Sequence, residues 1–172
     1  LLAACAPSPS NVKKTSEEAP MYPDYTDITL PENIAPLNFL LRDGADAVCV
    51  YADGGEIYSG RGCEVEFDEE EWKGMLESKT GKTIDVSIVA KYAEGWKEFK
   101  HFTWKIVSDK VDPYLTYRLI DPDYEVFNNL VIQERCVENF DVRNICDYKE
   151  VGNKCMNCHT YSAQNPDLSM FY

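Results

Sequence analysis

The chain has 172 residues, with 17 Lys and Arg against 30 Asp and Glu, a net charge of −13 at pH 7. That balance argues against a nucleic-acid or anionic membrane surface as partner, and 44% apolar, 12% aromatic and 27% charged residues rule out disorder throughout. No apolar run approaches the roughly 18 residues of a membrane span, so attachment to a bilayer is expected only through a lipid or a partner.

The first residues, Leu1-Leu2-Ala3-Ala4-Cys5, are apolar, then small, up to a Cys, and the polar Ala6-Pro7-Ser8-Pro9-Ser10 follows. This resembles a bacterial lipobox, which implies that Cys5 is the lipidated first residue of the mature protein and that residues 1–5 are its remnant. With no initiator Met, and an end on Phe171-Tyr172, a longer parent chain is expected. Residues 6–36 hold Pro7, Pro9, Pro20, Pro23, Pro31 and Pro36 with Ser, Lys and Glu between them, and read as a solvated tether that becomes an extended lead-in strand.

From Leu37 the pattern is of short β runs separated by turn signals, and residues 37–140 read as an immunoglobulin-like antiparallel β-sandwich, mostly β with one short helix. Strands are predicted at Leu37–Arg42 and Ala45–Ala52, with Asp53-Gly54-Gly55 turning into Glu56–Tyr58. Cys63, Val65 and Phe67 then alternate with Glu64 and Glu66 as a half-buried strand. Asp68 is an N-cap candidate ahead of Glu69, Glu70 and Glu71, and Trp72, Met75 and Leu76 fall on one helical face, predicting a helix over Glu69–Ser78. Calcium binding by this acidic run is disfavoured because the spacing of a calcium loop is absent.

Residues 83–92 alternate Ile84, Val86, Ile88, Ala90 and Tyr92 against Thr83, Asp85, Ser87, Val89 and Lys91. After Glu94-Gly95, Trp96, Phe102, Trp104 and Ile106 share one parity, which predicts a hairpin with His101 on its more polar face. Tyr114–Ile120 reads as a strand ended by Asp121-Pro122-Asp123, and Tyr124–Phe140 as extended. Residues 141–172 read as an irregular extension leading into a further domain.

Seven cysteines stand at positions 5, 49, 63, 136, 146, 155 and 158, and the lipid accounts for Cys5. Cys49 with Cys63, and Cys136 with Cys146, are candidate disulfides in an oxidising envelope; a buried free thiol is the alternative for each. Cys155-Met156-Asn157-Cys158-His159 is the C-x-x-C-H sequence of c-type haem attachment, in which two thiols add to two vinyl groups and the next residue brings imidazole to the iron. Chance yields it on the order of 0.003 times in a chain of this Cys and His content. Haem attachment takes place outside the cytoplasm, the compartment that the lipobox also names. Zinc on Cys155, Cys158 and His159 with Cys146 or Cys136 is an alternative, as are a Cys155–Cys158 redox disulfide and a structural role. No sixth iron ligand is assigned: His101 is the only other His, and Met156 and Met170 are the thioethers nearest in sequence.

The segment Tyr114–Glu125, Asn139-Phe140-Asp141, Cys155–His159 with Asn165-Pro166-Asp167, and the entry Ile34–Phe39 together resemble a family of Gram-negative envelope lipoproteins labelled TolB-like or cytochrome c biosynthesis-like. The resemblance covers most of residues 31–172. It implies an N-terminal sandwich, a C-x-x-C-H segment and a β-propeller beyond Tyr172 as partner domain, in a lipid-anchored, periplasmic or surface-facing protein. Haem there implies electron transfer or redox sensing with an envelope partner. The competing function is a scaffold or binding module, holding a protein or a glycan through Trp72, Trp96 or Trp104, although aromatics at strand period more often form core. Neither a Ser-His-Asp arrangement nor a nucleophile elbow is present in the pattern, so no hydrolytic machinery is expected, and an electron-transfer protein is the expectation in place of an enzyme.

Overall fold

The computed structural model describes residues 7–120, 130–152, 159–162 and 165–171. The chain divides into two compact units between Val111 and Asp112, ahead of the boundary expected after residue 140. The first unit contains β1 (Lys13–Lys14), β2 (Met21–Tyr22), β3 (Ile28–Pro31), β4 (Phe39–Leu41), β5 (Ala47–Ala52), β6 (Gly55–Arg61), β7 (Glu64–Val65), α1 (Glu69–Lys79), β8 (Thr83–Tyr92), β9 (Gly95–Glu98) and β10 (Phe102–Val107). The chain is mostly β, and this unit is a β-sandwich with one helix.

β8 organises the larger sheet. β5 lies along one side of it, from Ala47 opposite Lys91 to Ala52 opposite Val86, with β6 beyond. β9 and β10 share its other side, and β1 and β3 run parallel to them at the outer edge. The alternation read from the sequence sends Ile84, Val86, Ile88 and Ala90 inward, where they meet Val48, Val50 and Trp104 in the main core. The opposing layer is the small sheet β2–β4–β7 together with α1, supplying Met21, Phe39, Leu41, Val65, Trp72 and Leu76. The helix starts where the sequence places it, because Asp68 Oδ1 accepts the backbone N–H groups of Glu70 and Glu71, each at 3.0 Å. Trp72 and Trp104 join the layers edge to face, ring centroids 5.5 Å apart.

The predicted parity of the hairpin changes at one point. Val89 pairs with Glu98 and Val86 with Phe102, so three steps on β8 are spanned by four on its partner. The extra residue is a bulge that reverses the faces. Phe102, Trp104 and Ile106 enter the core, whereas Trp96 packs on the opposite, outer face with Ala47, Cys49 and Val89.

The expected tether of residues 6–36 is instead largely docked. β1, β2 and β3 pair with β9, β4 and β10, and Tyr25 O and Ile34 O accept the indole N–H groups of Trp104 and Trp72 at 2.9 and 3.0 Å. Pro-rich composition signals solvation only when no tertiary acceptor or donor claims the backbone, and here buried indoles claim it.

The second unit holds an antiparallel sheet of β11 (Tyr114–Leu119), β12 (Val131–Cys136) and β13 (Val142–Asp147), and a hairpin of β14 (His159–Ser162) and β15 (Asn165–Phe171). Its C-terminal part is thus less irregular than expected. The predicted turn at Asp121-Pro122-Asp123 and the run Tyr124–Phe127 lie outside the described residues.

Neither candidate disulfide forms; Cys49, Cys63, Cys136 and Cys146 are free thiols. Cys49 faces outward from β5 with Val89 and Trp96, whereas Cys63 packs on the main core, so the sheet separates them. Cys146 pairs with Ile132, four residues along β12 from Cys136, a separation of about 13 Å at the strand rise, beyond the roughly 7 Å limit of a bridge.

Trp104→Ala is expected to cost about 3–5 kcal/mol in urea unfolding followed by circular dichroism, and Asp68→Ala about 1 kcal/mol. A Trp104→Ala loss below that of the cap variant would contradict the packing described.

Candidate functional site

Of the motif residues, Cys155 and Cys158 lie outside the described residues, as does the lipidation candidate Cys5. His159 opens β14, with its backbone paired to Phe171, so the motif runs directly into a hydrogen-bonded hairpin. That hairpin is fastened to β11 by a hydrogen bond between the hydroxyls of Tyr161 and Thr116. Thr116 stands opposite Glu134 on β12, and Glu134 opposite Arg143 on β13. Arg143 Nε donates to the buried Glu134 carboxylate at 2.6 Å. Burying that carboxylate without such a charge-assisted bond would be costly.

Beside this pair opens a cleft of about 480 Å³, lined in part by Tyr114, Glu134, Cys136 and Arg143. Cys136 is buried, and burial, with help from the nearby Glu150 and Asp147 charges, pushes the Cys146 thiol up. Among the described residues no group of three or more His, Cys, Asp or Glu is placed to hold a metal ion, and no helix is long and apolar enough to cross a membrane. The Glu134–Arg143 pair was not singled out from the sequence. Its signal was the two-residue period Ile132, Glu134, Cys136, which carries a carboxylate onto a buried face.

The second unit also keeps much apolar surface in solvent. Of the ten exposed large apolar side chains among the described residues, all but Tyr22 and Val111 belong to it. Leu115 and Leu119, 56% and 51% exposed, share one sheet face with Val142, which stands across Arg135 from Leu115. By contrast Trp72, Trp96 and Trp104 are all buried, so none forms an exposed platform for a sugar ring.

His101 belongs to the first unit, and both ring nitrogens are engaged: Nδ1 with Asp85 Oδ2 at 2.7 Å and Nε2 with Glu98 Oε1 at 2.8 Å. An imidazole with two carboxylate acceptors is held as imidazolium, not offered to a metal. Hydrogen bonding to Glu98 is the largest influence and raises its pKa; desolvation, next in size, opposes it, and the Asp85 hydrogen bond and the two carboxylate charges raise it further. The same bond lowers the Glu98 value, which Lys14 lowers further.

Comparison with protein-family models, with curated proteins and with solved structures finds no match. The family resemblance therefore rests on the sequence motifs alone.

A raised His value contributes stability that is complete below the unfolded value near 6.5 and lost as pH climbs through the folded value. The His101→Gln variant is therefore expected to be less stable than the parent at pH 6 and to approach it at pH 9. The ring's side chain is 43% exposed, so the gap at pH 6 is a surface-pair quantity of about 0.5 kcal/mol. Urea midpoints of both proteins at the two pH values check this; a gap that widens towards pH 9 contradicts it.

Proposed function

We propose that this chain is the anchor-proximal part of a Gram-negative envelope lipoprotein that carries one covalent c-type haem for electron transfer or redox sensing. The observation that carries the reading is Cys155-Met156-Asn157-Cys158-His159, two thiols and an imidazole at the spacing that haem attachment requires. The donor set fits the group chemically. Cys155 and Cys158 would hold the group through thioethers, each thiol adding across a vinyl group with its hydrogen retained on the second carbon, which calls for reduced thiols and no oxidant. His159 supplies the proximal nitrogen. The haem bound there supplies one-electron exchange. The pairing of His159 with Phe171 and the Tyr161–Thr116 bond support the reading by anchoring the residue that must hold its ligand nitrogen in place. Cys5, two residues before Pro7, carries the lipid in this reading, and the TolB-like propeller and a redox partner lie outside the chain.

A second reading, a protein-binding scaffold, is favoured by the exposed Leu115, Leu119 and Val142. Expression of the parent protein with its signal peptide, in a host with c-type maturation machinery, separates the two. The expected result is a pyridine haemochrome that survives denaturation and is abolished by the double substitution Cys155→Ala and Cys158→Ala. Absence of covalent haem under those conditions overturns the redox reading and leaves the scaffold.

A further inference from the structure

The outer face of the larger sheet carries an apolar cluster of Ala47, Cys49, Val89 and Trp96, against which Tyr51 and Val12 pack. Val12 comes from the N-terminal segment, which crosses this face. At its start Pro7 O accepts from Ser59 Oγ at 3.0 Å and from Cys49 Sγ at 3.6 Å. Further on, β1 pairs with β9 over two residues, and Thr15 N–H donates to Glu98 O at 2.9 Å. Beyond it the segment is tied by Lys14–Glu98 at 3.1 Å, Lys97–Glu17 at 2.5 Å, Lys100–Glu18 at 3.2 Å and the Lys100 N–H to Glu17 O. Tight integration begins only at Ala19 and Pro20, where Arg42 N–H donates to Pro20 O and Met21 enters the core.

These attachments are of a weak kind. Pro7 and Pro9 offer no N–H, ion pairs at the surface contribute little, and Val12 brings a hydrophobic side chain of modest size onto the cluster. Asn11 turns the chain at φ 53°, a region that Asn enters more readily than most residues, so the turn there adds no hold on the sheet. Segments held so lightly open locally, well below the free energy of global unfolding. We infer that residues 7–18 form a detachable strap, hinged at Ala19–Pro20, whose opening uncovers the Ala47, Cys49, Val89 and Trp96 face and lengthens the N-terminal leash of the sandwich. The two states differ in reach. Resting on the proposed lipid at Cys5, the closed strap leaves one residue, Ala6, between the anchor and the Pro7 attachment, and the open strap adds about 40 Å of extended chain.

Cys49 reports the closed state, since its thiol is buried beneath the strap. In the full chain with Cys5, Cys63, Cys136, Cys146, Cys155 and Cys158 replaced by Ser, modification of Cys49 by a soluble aromatic disulfide reagent is expected at a rate insensitive to low urea. Combining Lys14→Glu with Glu17→Lys should speed it about tenfold, by weakening the closed state. Lys13 and Lys97 are paired across the strands, so Lys13→Cys with Lys97→Cys, oxidised to a bridge, should slow it by about tenfold or more. A rate unchanged by the bridge, or one that follows global unfolding as urea is added, overturns the strap. Hydrogen exchange on the unsubstituted chain gives a second test that needs no folding of variants. The Thr15 amide should exchange through a urea-independent opening while the β5 amides of Val48 and Val50 follow global unfolding, and coincident exchange of both sets overturns the strap. Neither measurement involves haem or lipid, so the strap stands or falls apart from the proposed function.

Discussion

Trp72 and Trp104 meet edge to face between the two layers of the sandwich, and each indole N–H needs an acceptor once water has been removed. The acceptors are Ile34 O and Tyr25 O, in the connections between β3 and β4 and between β2 and β3. Leaving such a donor buried and unpaired costs about 1–3 kcal/mol, so helix, sheet and lead-in cannot settle independently. The rings also pass contact outward: Phe67 lies 5.0 Å from Trp72 and Phe102 5.9 Å from Trp104. A row of aromatics thereby fixes where α1 sits on the sheet, and the sheet in turn fixes which face carries Trp96.

How far the sequence revealed this depended on whether the signal was local. The alternation of β8 and the Asp68 cap act within a few residues, and both were legible. The one-residue bulge between Glu98 and Phe102 was not, because Trp96 and Trp104 keep the same sequence parity whether or not an extra residue intervenes. Nor were the parallel pairings of β1 and β3, whose partners lie far along the chain and whose short runs are masked by proline. The cysteine pairings failed for a related reason: closeness in a strand meander says nothing about which face a thiol occupies, and the sheet stands between Cys49 and Cys63. At the candidate site the motif around His159 was legible from spacing alone, whereas Glu134 and Arg143 required the register of three strands.

The two units differ in how their apolar residues are used. The first encloses a large core between its layers. Among the described residues of the second, Leu130 and Ile132 form a buried cluster with Ile145 and Cys146 packed beside them, while Leu115, Leu119 and Met170 stand in solvent. The proposed chemistry belongs to the second unit, where Thr116–Tyr161 and Glu134–Arg143 join strands through polar side chains.

The parallel edge formed by β3 also sets an order of events. Ile28 pairs with Trp104 and Leu30 with Ile106, although 76 residues separate each pair along the chain. During synthesis from the N-terminus, the lead-in strand has no partner until nearly the whole first unit has been made, and its closure carries the entropy of a long loop. The sandwich is therefore completed late and from the far end. Until then, the indole of Trp104 and the carbonyl of Tyr25 that receives it must wait for each other.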